Sequence, residues 1–183
     1  MALACWSTSG CLAADPPTFE EPLKTPPFLL AQTASPAVTT PIVAFSNSGR
    51  DSVELRVKVR SEDAGDRLVA KLVYDYPPGI DLNVSASFPA GKLGDTGRVL
   101  SLKLGTNDVP LDQSKSPPEP WTGCLQVSML VTHEGNLVID DQLKVTFADP
   151  DDLGVITWWF NIPDPSGAAS TLDRCSYRLG SAQ

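Results

Sequence analysis

The sequence predicts an all-β sandwich, and three observations support this prediction. Residues 53–60 alternate strictly between apolar and charged side chains, which is the period of a strand with one dry and one wet face. Short runs of this kind recur between turn-forming segments, and no stretch has a helical period. The chain also contains 17 prolines among its 183 residues. Each proline removes a backbone donor and clashes with the preceding turn of a helix, so long helices are disfavoured.

The strongest strand signal is followed by a second strand. In the first, the apolar positions expected on the buried face are Val53, Leu55, Val57 and Val59. Residues 62–66 are acidic and glycine-containing, which is typical of a turn. In the second strand, the side chains expected to share one face are Leu68, Ala70, Leu72 and Tyr74. The two runs therefore predict two strands that follow one another in the sequence.

Five further segments have strand character. They cover residues 80–87, 98–104, 124–132, 137–147 and 153–162, with a turn expected at 134–136. Residues 105–123 contain four prolines, at 110, 117, 118 and 120, and are predicted to be irregular.

The N-terminal part of the chain differs from the rest. Residues 1–41 contain seven prolines, and residues that precede proline are pushed toward extended backbone. We therefore assign residues 1–36 to the remnant of a signal or lipid-anchor region and an extended, proline-rich tether, in which Phe28, Leu29 and Leu30 can dock on the domain. Residues 37–183 are assigned to the β-sandwich domain.

Charge and hydropathy limit the partners. The formal net charge is −8, so the chain repels phosphate, and no nucleic-acid partner is expected. No stretch of about 18 apolar residues exists that would span a membrane as a helix. Membrane contact is therefore expected only through a lipid anchor. The expected partner is an unknown protein or a carbohydrate.

The four cysteines form two groups. Cys11 follows the small residues Ser9 and Gly10 and precedes the tether, which predicts lipid attachment at Cys11; Cys5 is the weaker candidate. Cys124 and Cys175 lie in the folded part, and we predict a disulfide between them, with two buried reduced thiols as the alternative. The bond would close a loop of about 50 residues and contribute roughly 4 kcal/mol in the chain-entropy model.

The tryptophans are the candidate binding residues. Trp158 and Trp159 are adjacent in an apolar run, so they must point to opposite sides of a strand. One of them can fill the core while the other forms a surface platform, or both are packed. Trp121, in the proline-rich segment, is the third candidate.

The sequence does not point to catalysis or to a cofactor. His133 is the only histidine, and its neighbours Glu134 and Asn136 resemble turn formers. Glycosidase chemistry requires a pair of carboxylates, and no spacing in the sequence identifies such a pair. The aspartates at 149, 151 and 152 offer oxygen ligands for Ca²⁺, but without EF-hand spacing, so a turn and an aspartate cap are the simpler interpretation. No catalytic residue, metal or cofactor is therefore expected.

Two motifs resemble a known group. Cys11, the segment 15–19 (Asp-Pro-Pro-Thr-Phe) and the segment 26–29 (Pro-Pro-Phe-Leu) resemble the start of predicted lipoproteins of myxobacteria and related bacteria. The segment 149–152 (Asp-Pro-Asp-Asp), followed by residues 155–161, is similar to the last core strand of that group. The resemblance implies an immunoglobulin-like fold and a location in the cell envelope. It transfers no active site.

These observations predict a non-catalytic binding or structural module, anchored in the bacterial cell envelope (outer membrane or periplasm) or secreted. Its binding surface is expected on loops at the ends of the sandwich. The alternative is a carbohydrate-binding or enzyme-accessory module that uses an exposed tryptophan.

Overall fold

The computed structural model describes residues 25–40, 42–43, 52–62, 66–75, 80–89, 91, 97–112, 116–120 and 122–162. These ranges form an all-β structure with one short 3-10 helix, Thr106–Asp108, and no α-helix. The strands are β1 (Phe28–Ser35), β2 (Ile42–Val43), β3 (Ser52–Arg60), β4 (Leu68–Tyr74), β5 (Ile80–Phe88), β6 (Arg98–Gly105), β7 (Leu111–Asp112), β8 (Glu119–Pro120), β9 (Gly123–His133), β10 (Leu137–Ile139), β11 (Val145–Phe147) and β12 (Gly154–Ile162). Within the same ranges, no helix has the length and apolarity required to cross a membrane.

Two sheets contain most of the strands. One has three strands in the order β1-β3-β6, all antiparallel. The other has five strands in the order β2-β12-β9-β4-β5. Its pairs are antiparallel except for β2, which runs parallel to β12. Two small antiparallel pairs, β7-β8 and β10-β11, complete the described strands.

One apolar cluster draws side chains from both sheets. Leu55, Val57 and Val59 of β3 are at most 1% exposed, and they belong to the same cluster as the buried residues of β4 and β9. The face predicted from the alternation at 53–60 is therefore confirmed, with Val53 partly buried against the cluster. The three predicted inward side chains of β4 at positions 68, 70 and 72 are fully buried, and Tyr74 packs against them.

A second, smaller cluster lies on the other face of the five-stranded sheet. It consists of Val73, Leu130 and Val145, with Leu137 and Phe147 packed against it. Successive side chains of a strand point to opposite faces, so Val73 faces away from the core that Leu72 enters. The β10-β11 hairpin covers part of this face. This coverage explains why Val73 and Leu130 are apolar although they point away from the main core.

The first strand corrects the predicted tether. Residues 28–35 lie inside the segment assigned to the tether, yet they form β1, whose Phe28, Leu29 and Leu30 pair with Arg60, Val59 and Lys58 of β3. No proline occurs between Pro27 and Pro36, so this window has the backbone donors that a sheet ladder requires. The first sheet therefore begins before residue 37.

Two other segments also differ from prediction. The single strand expected at 137–147 is a hairpin, because Asp140 ends β10: its Oδ1 accepts the N–H groups of Gln142 and Lys144, both at 2.9 Å. In the region 105–123, which was predicted to be irregular, the structure contains the 3-10 helix and the pair β7-β8. The predicted turn at 134–136 is confirmed.

Candidate functional site

A buried polar cluster lies between the last residue of β9 and the segment that precedes β12. His133, the last residue of β9, has a fully buried side chain, and the side chain of Asp152 is 2% exposed. The turn at 134–136 and the segment 148–153 bring these two residues together across 19 positions of sequence. The distance between His133 and Asp152 is fixed by the antiparallel pairing of Gly154 with Val131.

Asp152 is the centre of this cluster. Its Oδ1 lies 2.7 Å from His133 Nδ1, and its Oδ2 accepts the backbone N–H of His133 at 3.3 Å. The Thr132 hydroxyl donates to the Asp152 carbonyl at 2.5 Å and lies 3.1 Å from Oδ2. Every described buried polar side-chain atom has a hydrogen-bond partner. The cluster is therefore satisfied internally, as a buried carboxylate requires.

Asn136, in the turn at 134–136, connects the parts of the cluster through hydrogen bonds of its side chain. Its amide nitrogen lies 2.7 Å from Thr132 Oγ1, 2.9 Å from the Asp149 carbonyl oxygen and 3.0 Å from the Asp152 carbonyl oxygen. Its Oδ1 accepts the backbone N–H of Asp149 at 2.6 Å. Asn136 is 8% exposed. The residue expected to be a simple turn former therefore holds the segment 149–152 onto β9.

Ser61 completes a serine–histidine–aspartate connectivity. Its hydroxyl lies 3.3 Å from His133 Nε2, on the side of the ring opposite Asp152. Acyl-transfer triads use this order of contacts, in which the carboxylate orients the ring and the ring accepts the hydroxyl proton. Catalysis also requires a substrate to reach the hydroxyl and the ring, and the imidazole has no exposed surface. Since Ser61 directly follows β3, the contact instead links the three-stranded sheet to the five-stranded sheet.

The aspartates at 149, 151 and 152 do not converge on a cation. Asp149 Oδ1 accepts the N–H of Asp151 at 3.0 Å, and the Asp152 carboxylate faces His133. Among the described residues, no group of three histidine, cysteine or acidic side chains is placed to hold a metal ion. The Asp149 carboxylate therefore caps the turn that precedes β12.

The two adjacent tryptophans have different environments. Trp158 is fully buried in the main core, and its Nε1–H donates to the Pro36 carbonyl oxygen at 2.8 Å. Trp159 is half-buried on the opposite face of the five-stranded sheet, where it pairs in register with Gln126. The neighbouring hydroxyls of Thr157 and Ser128 are 2.8 Å apart. Trp159 therefore stays a binding candidate and Trp158 does not, while Trp121 lies outside the described residues.

The cysteines are described only at Cys124. It lies in β9, pairs in register with Asn161, and is half-buried on the face away from the main core. Cys124 is disulfide-bonded. The other three cysteines, at positions 5, 11 and 175, lie outside the described residues, so lipid attachment at Cys11 and the pairing of Cys124 with Cys175 stay predictions.

A buried ion pair was missed by the sequence reasoning. Lys71 Nζ lies 2.9 Å from Asp81 Oδ1, and the two side chains are 5% and 6% exposed. The same Oδ1 accepts the N–H of Asn83 at 2.6 Å, where β5 has an irregular register and Asn83 has φ 56°. Alternation predicts that Lys71 points away from the core. The hairpin that helps to bury it is not visible in a local pattern.

Comparisons of the chain with protein-family models, with curated proteins and with solved structures find no match. The class of this protein is therefore defined by its fold. It is an all-β domain with two sheets, a shared apolar core and a buried polar cluster at one end of that core.

Proposed function

We propose that this protein is a non-catalytic binding or structural module of the bacterial cell envelope, anchored or secreted. The observation that carries this proposal is the enclosure of His133. It is the chain's only candidate histidine base, yet its imidazole has no exposed surface and lies between Asp152 and Ser61. A base that no substrate can reach serves the fold rather than a reaction.

The proposed architecture is an immunoglobulin-like antiparallel sandwich, with the residues before β1 acting as a proline-rich tether. Support comes from the main apolar cluster, to which strands of both sheets contribute. Such a scaffold holds its connecting segments rigidly, and binding surfaces are often built on connections of this kind. Partners of the proposed module are proteins or carbohydrates, because a net charge of −8 disfavours nucleic acid.

The disulfide at Cys124 supports a location outside the cytoplasm, since disulfides persist mainly in oxidising compartments. Attachment of lipid at Cys11 would then provide the membrane anchor. The resemblance to predicted lipoproteins of myxobacteria leads to the same location.

A test of the non-catalytic proposal uses a fluorophosphonate probe, which labels activated serine hydroxyls. The wild-type protein and the Ser61→Ala variant are treated with the probe and analysed by peptide mass spectrometry, with Ser85→Ala as an exposed-serine control. We expect no labelling of Ser61. Labelling that is lost in Ser61→Ala and kept in Ser85→Ala would show an accessible triad and overturn the proposal.

A second candidate function is a carbohydrate-binding or enzyme-accessory module. The observation in its favour is the half-buried Trp159 on the outer sheet face, beside the hydroxyls of Thr157 and Ser128. Sugar sites commonly combine an aromatic surface with such polar groups. Titration with chito-, cello- and xylo-oligosaccharides tests it through tryptophan fluorescence. A saturable change that is lost in Trp159→Ala and kept in Trp158→Phe would favour this function over protein binding.

A further inference from the structure

The outer face of the three-stranded sheet carries a concentration of basic side chains. Strand alternation and the pairing of β3 with β6 place four exposed cations on this face: Arg56, Lys58, Arg60 and Lys103. Glu54 is the only acidic residue in β1, β3 and β6, and its Oε2 lies 2.5 Å from Arg56 Nη2. Four basic residues and one acidic residue leave this face with an excess of positive charge, although the whole chain has a net charge of −8.

Apolar side chains lie among these cations. Phe28 is 65% exposed and pairs in register with Arg60, while Val99 is 55% exposed and pairs with Lys58. Leu30 pairs with Lys58 from the other side and is half-buried. Paired residues of antiparallel strands share a face, and neighbouring strands are about 4.8 Å apart, so these five side chains form one continuous patch. The patch and the other two cations together make up what we call the basic face.

The acidic residues that follow β3 and β6 lie away from the basic face. Glu62 is exposed beyond the end of β3, but the chain has already turned toward the five-stranded sheet, since the Ser61 hydroxyl lies 3.3 Å from His133 Nε2. After β6, the Asp108 carboxylate accepts the N–H of Gly105 at 2.7 Å and so stays within its own turn. Neither residue therefore offsets the positive charge of the basic face.

The β10-β11 hairpin carries exposed acidic residues on the opposite side of the molecule. Asp140 and Asp141 are exposed there, with Lys144 as an exposed cation near them, and the hairpin packs on the far face of the five-stranded sheet. Packed sheets are about 10 Å apart, and charges are screened over about 8 Å at physiological ionic strength. A partner at the basic face therefore meets the local positive charge rather than the net charge of the chain.

The proline-rich segment enters the domain at the same face. Pro27 directly precedes β1 and is buried, and its carbonyl oxygen packs so closely on Gly154 of β12 that a Cβ there would collide with it. The entry point beside Phe28 is therefore fixed. Cys11, the proposed site of lipid attachment, precedes Pro27 by 16 positions, so extended chain between them spans at most about 55 Å. A lipid at Cys11 would hold the basic face near a bilayer at a high effective concentration.

We propose that the basic face lies on an anionic membrane surface, with its cations at the lipid phosphates and with Phe28 and Val99 at the boundary of the acyl chains. This inference rests on the proposed function of an envelope module, and it adds a second membrane contact to the lipid anchor. Exposed apolar side chains among cations are the combination by which peripheral proteins bind anionic bilayers. An acidic polypeptide would match the same charge, but the anchor favours the bilayer because it brings this face close to it.

The experiment uses the full chain produced without lipid, so that binding reports the protein surface alone. Its sedimentation is measured with phosphatidylcholine vesicles that either contain or lack phosphatidylglycerol. The wild type should bind the anionic vesicles at least about tenfold more strongly than the neutral ones, because each cation near the surface contributes roughly fivefold. This preference should shrink at high salt.

Three variants locate the binding surface. The double substitution Lys58→Gln and Arg60→Gln should weaken binding to anionic vesicles at least about tenfold, with an unchanged circular dichroism spectrum, because both side chains are exposed. Phe28→Ser should weaken it at least about threefold through the loss of apolar contact. The matched control is Lys144→Gln, which removes an exposed cation from the opposite side of the molecule and should leave binding unchanged.

Three results would overturn the inference. They are the absence of binding to anionic vesicles, equal binding to anionic and neutral vesicles, and an equal loss of binding in Lys144→Gln and the double variant. Binding of soluble polyglutamate without binding of vesicles would make an acidic polypeptide the partner. Each of these results would leave the proposed module intact. Labelling of Ser61 by the fluorophosphonate probe would instead remove the proposed function itself.

Discussion

Replacing Asn136 by alanine should destabilise the protein without altering its surface. The amide has two N–H hydrogens, shared among three close acceptors, and its oxygen accepts one backbone N–H. The substitution therefore removes three simultaneous hydrogen bonds in a site where the residue is 8% exposed. At about 1 kcal/mol of net stabilisation per bond, the expected loss is roughly 3 kcal/mol. For a chain of this size that corresponds to a fall in Tm of about 6–12 °C.

The assay is urea unfolding followed by tryptophan fluorescence and circular dichroism, with the m-value expected to stay constant. Gln142→Ala removes an amide from an exposed position of the hairpin turn and should change stability by less than about 0.5 kcal/mol. Asn136→Asp keeps the shape but places an acceptor against the carbonyls of Asp149 and Asp152, so it should destabilise at least as strongly as alanine. A free energy of unfolding of Asn136→Ala within about 0.5 kcal/mol of the wild type would refute the stabilising role of the Asn136 side chain.

Three further predictions concern other parts of the chain. Peptide mapping without reduction should find Cys124 linked to Cys175, and a Cys124 peptide linked to any other cysteine would contradict this pairing. Mass spectrometry of protein produced from its native locus should find a lipid-modified Cys11 at the N-terminus, and an unmodified thiol there would refute the anchor. Burial, followed by the charge of Asp75, raises the pKa of Tyr74, so the fold disfavours the phenolate. Its stabilising contribution is present below pH about 10 and is lost as pH rises through the raised pKa, so Tyr74→Phe should reduce the alkaline loss of stability measured by urea titration.

The sequence was sufficient to predict a strand and its buried face where the period-two pattern is uninterrupted. At β3 it predicted both the strand and the buried face, because each apolar residue is followed by a charged one. It did not predict β1, since prolines on both sides made residues 28–35 resemble a tether. It also merged β10 and β11, because the turn between them depends on the side chain of Asp140 accepting two backbone N–H groups. Local propensity carries little information about such contacts.

The polar cluster could be predicted only in part. A histidine at the end of an apolar strand and an aspartate shortly before another strand are ordinary features, and their contact depends on the pairing of β9 with β12. The buried state of Lys71 is a similar case, because alternation predicts only that it points away from the core. Whether that face is wet or covered is decided by residues 137–147, more than sixty positions further along the chain.

The contact of His133 with Asp152 should also help to set the register of β12 on β9. A slip of two residues would keep every apolar side chain on its original face, because the side-chain period of a strand is two. The same slip would move Asp152 by about 6.6–6.8 Å along the strand, beyond hydrogen-bonding reach of His133. Apolar patterning therefore cannot discriminate between these registers, whereas the buried polar contact can. In Asp152→Ala, native-state hydrogen exchange should accelerate more for amides of β9 and β12 than for those of β3 and β6. Equal acceleration in both sheets would mean that the contact contributes stability alone and that the register depends on other interactions.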